Sequence, residues 1–384
     1  MSYIPYGRQD IDDVDVQSVV DVLRSDWLTQ GPAVPRFEQA LADRCGARHG
    51  VAVCNATAAL HLACRALSLG PGGRLWTSPN TFVASANCAR YCGADVDFVD
   101  IDPRTLNMSV DALTEKLARA EVEGKLPDIV VPVHFAGLPC KMDRIAELAE
   151  RYGFAVVEDA SHAVGASYQM VPTGACRYSD ITVFSFHPVK ILTTGEGGML
   201  LTNRDDLAEQ LRLLRSHGIT RQPEQMMGAS HGDWYYEQLD LGYNFRMTDM
   251  QAALGYSQLQ RLDDFLARRC WLAARYGELL AQLPVGTQVQ HSDAQSAWHL
   301  FPVRVAASSR RAVFDHMRRE GIGVNVHYIP VHLQPYYREL GFGPGDFPEA
   351  ERYYAEAISL PLFPSFTKDQ QVWVVGALRR ILGQ

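Results

Sequence analysis

Lys190 ends the run Ser185-Phe186-His187-Pro188-Val189-Lys190, which follows one apolar stretch and leads through Thr193-Thr194-Gly195-Glu196-Gly197-Gly198 into another. The pattern fixes a lysine at a strand-to-loop corner. Burial between apolar segments makes an ammonium costly, whereas condensation with an aldehyde to a Schiff base removes the charge and gives the amine a task. Taken alone, the segment suits a surface lysine before a Gly-rich turn equally well. About thirty residues upstream, Glu158-Asp159-Ala160-Ser161-His162 closes a second apolar stretch, Ala155–Glu158. Ligands of open α/β sheets bind beyond the carboxyl ends of the strands, so Asp159 and Lys190 can face one crevice.

A reactive amine facing a carboxylate meets the needs of pyridoxal 5'-phosphate (PLP). The acid keeps the pyridine nitrogen protonated, and the positive ring draws off electrons when a substrate carbon loses its proton. By itself Asp159 also fits a helix N-cap. His162 either touches the hydroxyl side of such a ring or fills the core. A phosphate anchor is offered by Asn55-Ala56-Thr57-Ala58-Ala59-Leu60, which follows the strand-like run Val51–Cys54 and opens a helix. Small residues there let backbone N–H groups and the positive helix end approach an anion, although Thr57 as a plain N-cap explains the run as well. Ser185 adds a hydroxyl to the same phosphate. Phe82, in Asn80-Thr81-Phe82-Val83, is placed to stack on the ring or, the commoner fate of phenylalanine, to pack in the core.

These groups need a scaffold. Between about residues 50 and 202, seven short apolar runs alternate with helical patterns: Val51–Cys54, Arg74–Thr77, Val96–Val99, Ile129–Val133, Ala155–Glu158, Ile181–Phe184 and Met199–Thr202. Near-continuous apolar strands are covered on both faces, so the class is α/β with a large, mostly parallel seven-stranded sheet. Helices are expected over Leu60–Leu67, Val83–Cys92, Leu113–Ala120, Ile145–Tyr152 and Leu207–Leu214. Gly218–Tyr243 reads as a long irregular excursion, and a helix resumes near Thr248 and runs on toward Leu283. Beyond it, strands at Trp298–Val305 and Gly323–Tyr328 and helices at Arg310–Glu320, Glu349–Ile358 and Lys368–Leu382 make a smaller α+β unit. The expected division is 1–255 and 256–384.

With 384 residues, 47% hydrophobic and 21% charged, the chain is of ordinary globular composition and long enough for two cores. A net charge of −8 without basic runs argues against nucleic acid or anionic membrane as a partner. Asp10, Asp12, Asp13, Asp15 and Asp21 stand where an export signal needs a basic and then an apolar stretch, and no apolar run nears the ~20 residues of a membrane span. A cytoplasmic location is expected. The eight cysteines form no C-x-x-C pair, and no His follows Cys88 and Cys92 at zinc-ligand spacing, so reduced core thiols are expected and no metal.

The motifs together resemble the sugar-nucleotide aminotransferases of the DegT/DnrJ group, which have the PLP-transferase fold of aspartate aminotransferase, fold type I. The resemblance covers nearly the whole chain: Ile4–Arg8, Trp27–Pro32, Asn55–Leu60, Glu158–Gly165, Ser185–Gly198 and Gly242–Met247. The wording of Ser185–Lys190 with Thr193–Gly198 is most similar to the branch that aminates a UDP-linked 4-keto-6-deoxy-N-acetyl sugar on the pseudaminic acid pathway, the UDP-4-amino-4,6-dideoxy-N-acetyl-β-L-altrosamine transaminases. The resemblance implies a homodimer whose active sites are shared, with Asn244 reaching the partner's cofactor phosphate. It implies that Tyr6, Trp27, Thr29, Gln30, His327 and Tyr328 border the sugar nucleotide, and that Lys190, Asp159, His162, Phe82, Ala56, Thr57 and Ser185 hold PLP. Ala56 departs from the serine common at that position, which puts a hydroxyl contact there in doubt. Arg221 is a candidate for the diphosphate.

On this reading L-glutamate gives its amino group to the cofactor, which carries it as pyridoxamine phosphate, and the keto-sugar takes it in a second half-reaction. Two other functions compete. Sugar dehydratases of this scaffold carry histidine where Lys190 stands, and a sensory protein without turnover has no use for an intact Lys190 and Asp159.

Overall fold

The computed structural model describes residues 3–383. All seven expected strands form one sheet: β1 (His49–Val53), β2 (Arg74–Thr77), β3 (Asp95–Phe98), β4 (Ile129–Val131), β5 (Ala155–Asp159), β6 (Ile181–Ser185) and β7 (Gly198–Thr202). Their order across the sheet is β1-β7-β6-β5-β4-β2-β3. Only β7 runs against the others, pairing antiparallel with β1 and β6. The carboxyl ends of the six remaining strands therefore lie along one edge, where ligands of such sheets bind.

Alternation along the strands feeds cores on both faces of the sheet. Val51 and Val53, Leu75, Val157, Ile181 and Val183 turn to one face, where helices α3 (Ala56–Ala66), α4 (Ala84–Tyr91) and α7 (Asp205–Arg215) cover them. Ala52, Trp76, Val130, Val156 and Phe184 turn to the other, against α2 (Ala33–Cys45), α5 (Val110–Glu123) and α6 (Met142–Tyr152), which follow α1 (Asp13–Leu23) in the chain. Burial on both faces explains why the strands read as unbroken apolar runs. A further core joins Leu272, Tyr276, Phe301, Val303, Met317, Ile358, Val374 and Leu378 around a three-stranded sheet of Gly286–Thr287, Phe301–Arg304 and Ala357–Leu360. Ile4 belongs to it, so the N-terminal arm is tied to the C-terminal part of the chain.

Four expectations need correction. The helix from Thr248 is two, α8 (Asp249–Gln260) and α9 (Leu262–Leu280), because Arg261 leaves helical geometry and sends its guanidinium to Asp10, Asp12 and Asp15. Gly323–Tyr328 is no strand: it makes one isolated bridge, at Asn325, and the Asn325 side chain takes the Val326 N–H that a ladder would use. The helix expected over Glu349–Ile358 ends at Glu356, and Ala357–Leu360 pairs with Phe301–Arg304 as a strand. The strand expected from Trp298 begins at Phe301, since Trp298 takes a left-handed φ of 49°. Gly218–Tyr243 is irregular apart from the pairing of Ile219–Thr220 with Glu237–Gln238 and a short 3-10 turn at Pro223–Gln225.

The fold brings β7 hard against the start of α3. A β-carbon at Gly198 would stand 2.8 Å from the Ala56 nitrogen. Backbone cannot yield as a side chain can, so Gly198→Ala is expected to cost about 1–3 kcal/mol, read as a lower midpoint in urea denaturation. An unchanged midpoint would mean that α3 shifts freely.

Candidate active site

Above the carboxyl edge of the sheet lies a cavity of about 610 Å³. Ten of the fourteen site residues expected from the sequence line it: Tyr6, Ala56, Thr57, Phe82, Asp159, His162, Ser185, Lys190, His327 and Tyr328. Asp159 ends β5 on the face toward α4. Its Oδ2 accepts a hydrogen bond from Ser85 Oγ at 2.6 Å and its Oδ1 accepts from the Ser161 N–H at 3.1 Å. No helix follows, so the carboxylate is not an N-cap. Glu158, one residue earlier, points to the opposite face and is buried. Burial pushes its carboxyl up, but hydrogen bonds from His134, Ser179 and Thr182 outweigh that and hold it below the usual range.

Lys190 is half-buried on the loop between β6 and β7. Removal from water draws its pKa down to about 8, against the pull of the Asp159 carboxylate, which favours the charged form. His162 is buried and held well below the ordinary imidazole range, first by burial and then by Lys190 and His327. Its Nδ1 accepts the Ala136 N–H at 3.3 Å, which leaves the proton on Nε2, 3.1 Å from the Tyr328 hydroxyl. His327 is drawn down to about 3 by burial and Lys190, and its Nδ1 lies 2.8 Å from Ser359 Oγ. These imidazoles are neutral at neutral pH.

At the far side of the cavity, Asn55 rather than Thr57 caps α3, accepting the Ala58 N–H at 2.8 Å. The N–H groups of Ala56 and Thr57 belong to the first turn and find no acceptor within the helix. With Asn55 and the Ser185 hydroxyl, both residues line the cavity. A helix N-terminus of this kind takes a phosphate, and Gly198 leaves the Ala56 nitrogen uncrowded, so the residues present fit PLP. Phe82 is 58% exposed at the cavity rim, which rules out core packing and leaves its ring face for another flat ring.

Trp27, Thr29, Gln30 and Asn244 do not line this cavity. Trp27 borders a separate cleft with Arg36, Asp249 and Tyr256, Thr29 pairs with Thr248, and Gln30 takes a left-handed φ of 58° beside Gly31, whose N–H goes to Asp249. Asn244 is exposed at the foot of the 218–243 excursion, where it pairs with Ser216. Lining residues without a role assigned from the sequence include Ser85, Glu196, His299 and Asn325. Ser85 follows Phe82 by one helical turn, the only cue to it. Among the described residues no group of His, Cys, Asp or Glu could hold a metal ion, and no helix is long and apolar enough to cross a membrane.

The chain matches the DegT/DnrJ/EryC1/StrS aminotransferase family over residues 9–379. It is 41% identical to the spore coat polysaccharide biosynthesis protein SpsC of Bacillus subtilis, over 99% of this chain and 97% of that one. PseC of Helicobacter pylori, an aminotransferase involved in the biosynthesis of pseudoaminic acid, superimposes with a TM-score of 0.91 at 27% identity, each chain covered in full. Spr1654 of Streptococcus pneumoniae, assigned as a sugar aminotransferase and solved in a PLP form, gives 0.89 at 28% identity over 99% of both chains; its PMP form gives 0.90.

The lowered pKa of Lys190 makes the amine a pH-dependent cost to the cofactor-free fold. Below about pH 8 it is charged whether folded or unfolded, and folding bears the full penalty. As pH rises from there toward the unfolded value near ~10.4, the penalty fades. Lys190→Met is therefore expected to raise the stability of the cofactor-free protein by about 1–2 kcal/mol at pH 7, with the gain vanishing toward pH 10. Denaturation curves across this range check it, and a gain independent of pH would contradict the assignment.

Proposed function

Because this chain belongs to the DegT/DnrJ/EryC1/StrS aminotransferase family, we propose that it moves the amino group of L-glutamate to C4 of a UDP-linked 4-keto-6-deoxy-N-acetyl sugar. The product is UDP-4-amino-4,6-dideoxy-N-acetyl-β-L-altrosamine, on the route to pseudaminic acid. At the coarser level the protein is a sugar aminotransferase of the fold type I class with PLP as its cofactor. The observation that carries the reading is that Lys190, Asp159 and the open end of α3 line one cavity. The likeness to PseC and the wording of Ser185–Gly198 favour the specific sugar. A second reading, transfer to another nucleotide-linked keto-sugar, is favoured by the higher identity to SpsC. A dehydratase would carry histidine in place of Lys190.

Bound PLP supplies a carbonyl for the lysine and an electron sink for the substrate carbon. Asp159, already accepting from Ser85 and Ser161, keeps lone pairs for one further N–H and is held still enough to aim them. A pKa near 8 leaves part of the Lys190 amine neutral at physiological pH, so its Nζ can take the α-proton of glutamate and deliver a proton to C4 of the sugar in the second half-reaction. His162 donates through Nε2–H to the Tyr328 oxygen, which turns the Tyr328 hydrogen toward the cavity. Tyr6, Asn325 and His327 form the wall offered to the sugar: His327 Nε2 is 3.3 Å from Asn325 Nδ2, and the Tyr6 and His327 rings are 5.4 Å apart.

Asn244, exposed and off the cavity of its own chain, is assigned to the phosphate in a second copy, making the active unit a homodimer. Trp27, Thr29 and Gln30 are assigned to the border of the nucleotide, and Arg221 to its diphosphate. The division into 1–255 and 256–384 is supported by the separate core around Phe301, Met317 and Val374. Eight unpaired cysteines suit the reducing cytoplasm.

A panel of UDP- and dTDP-linked keto-sugars with glutamate as donor, the product identified by NMR, tests the substrate; amination at C3, or of dTDP-sugars alone, overturns the specific assignment. Lys190→Ala should abolish both half-reactions and the absorbance of the lysine-bound cofactor. Asp159→Asn should still bind the cofactor but turn over at least about a hundredfold more slowly, and a rate like that of the unaltered enzyme removes its role.

A further inference from the structure

His299 lines the cavity, is only 4% exposed, and serves none of the functions assigned so far. Its backbone is tightly held. The N–H donates to the Ala136 carbonyl at 2.9 Å, while the Ala136 N–H donates to His162, so one residue fixes both histidines and their rings lie 4.4 Å apart. Gly137 makes this approach possible: with φ at 100°, a β-carbon there would meet the nitrogens of Trp298 and His299 at 2.8 and 3.0 Å. The imidazole itself is left without a partner. Nδ1 is enclosed with no hydrogen bond among the described residues, and Nε2, the nitrogen left accessible, has none either, whereas His162 and His327 have both ring nitrogens engaged. A buried polar group unpaired by protein costs about 1–3 kcal/mol, and of the two nitrogens Nε2 is the one that a group entering the cavity can reach.

Arg269 shows what enters. It is 1% exposed, and its Nη1 donates to three carbonyls, those of Trp298, His299 and Leu362, at 3.2, 3.3 and 3.0 Å. Among the described residues no carboxylate balances it, and burial alone draws its pKa down to about 10, still charged. A cation without its anion thus stands directly behind the residue whose imidazole is unpaired. Burial, His162, Lys190 and Arg269 all keep the His299 ring neutral, so it offers one donor and one acceptor. A neutral donor backed by an uncompensated guanidinium, in a cavity that Lys190 also lines, makes a place for a carboxylate.

We infer that His299 binds a carboxylate of the amino donor, with Arg269 as the positioning residue that holds the His299 carbonyl and supplies the unbalanced charge. This rests on glutamate as donor. The keto-sugar carries no carboxylate and should not need the contact, which separates the two half-reactions.

The test follows the absorbance of the PLP-loaded enzyme on adding L-glutamate, and of the pyridoxamine-phosphate-loaded enzyme on adding keto-sugar. His299→Leu should raise the apparent Kd for glutamate about ten- to a hundredfold, with the maximal rate within about threefold and the sugar half-reaction unchanged. His299→Gln, which keeps a donor, should recover part of the affinity. Calorimetric titration of the PLP-loaded enzyme with glutarate, which carries the carboxylates without the amine, should weaken in parallel. Equal glutamate Kd values in His299→Leu and the unaltered enzyme, or an equal loss in both half-reactions, would overturn the inference. If the unaltered enzyme ignores glutamate but responds to another amino acid, the donor assignment falls, and the same comparison with that amino acid decides the role of His299.

Discussion

The step from Glu158 to Asp159 decides where negative charge sits in this molecule. Neighbouring residues of a strand face opposite sides of the sheet, so one carboxylate sinks toward His134, Ser179 and Thr182 while the next emerges beside α4 at the cavity. Each finds its donors only in that register, which pairs Glu158 with Thr182 and Asp159 with Val183. A slip of one residue would exchange the two faces and leave both carboxylates buried without partners, at several kcal/mol. Since β6 also carries the chain into Lys190, the same pairing that aims the acid sets the base of the lysine loop.

Around that acid the cavity is kept short of charge. Lys190, His162, His299 and His327 are all shifted toward their neutral forms, and each shift begins with loss of water. Glu196, a second lining carboxylate, stands exposed. In so dry a setting a hydrogen bond or a single ionised group weighs more than it would in water, and a donor placed before the substrate arrives needs no reorganisation when it does.

How much of this could be read without a structure depended on whether a residue acts through its own type or through its neighbours. Lys190, Asp159 and the Asn55–Thr57 turn were legible because each stands at or shortly past the carboxyl end of a strand, and strand ends of a parallel sheet share one edge. The seven strands were legible for a related reason: two covered faces make each run apolar throughout. Ser85 and Asn325 were not, since a serine one helical turn beyond Phe82 and an asparagine in an irregular stretch look like any surface residue until α4 and the segment around Ile322 are folded over the site. Gly323–Tyr328 misled because its apolar residues meet other cores while Asn325 spends its side chain on the backbone. The break at Arg261 was hidden because its three aspartates lie some 250 residues away in the chain. Trp27, Thr29, Gln30 and Asn244 carry a resemblance that one chain cannot bring to its own cavity.

The antiparallel course of β7 has a bearing on the lysine that the parallel strands could not provide. Ser185 pairs with Gly198, the Phe186 N–H donates to the Gly197 carbonyl at 2.9 Å, and the Thr194 N–H donates to the Phe186 carbonyl at 3.0 Å. The segment bearing Lys190 is thus a closed loop, knotted to itself at the neck rather than strung between distant elements. Much of the entropy of shaping it is spent during folding, before any aldehyde is met. The root of the lysine loop is therefore set by its own strand pair, and its shape does not depend on contacts made by α9 or the C-terminal sheet.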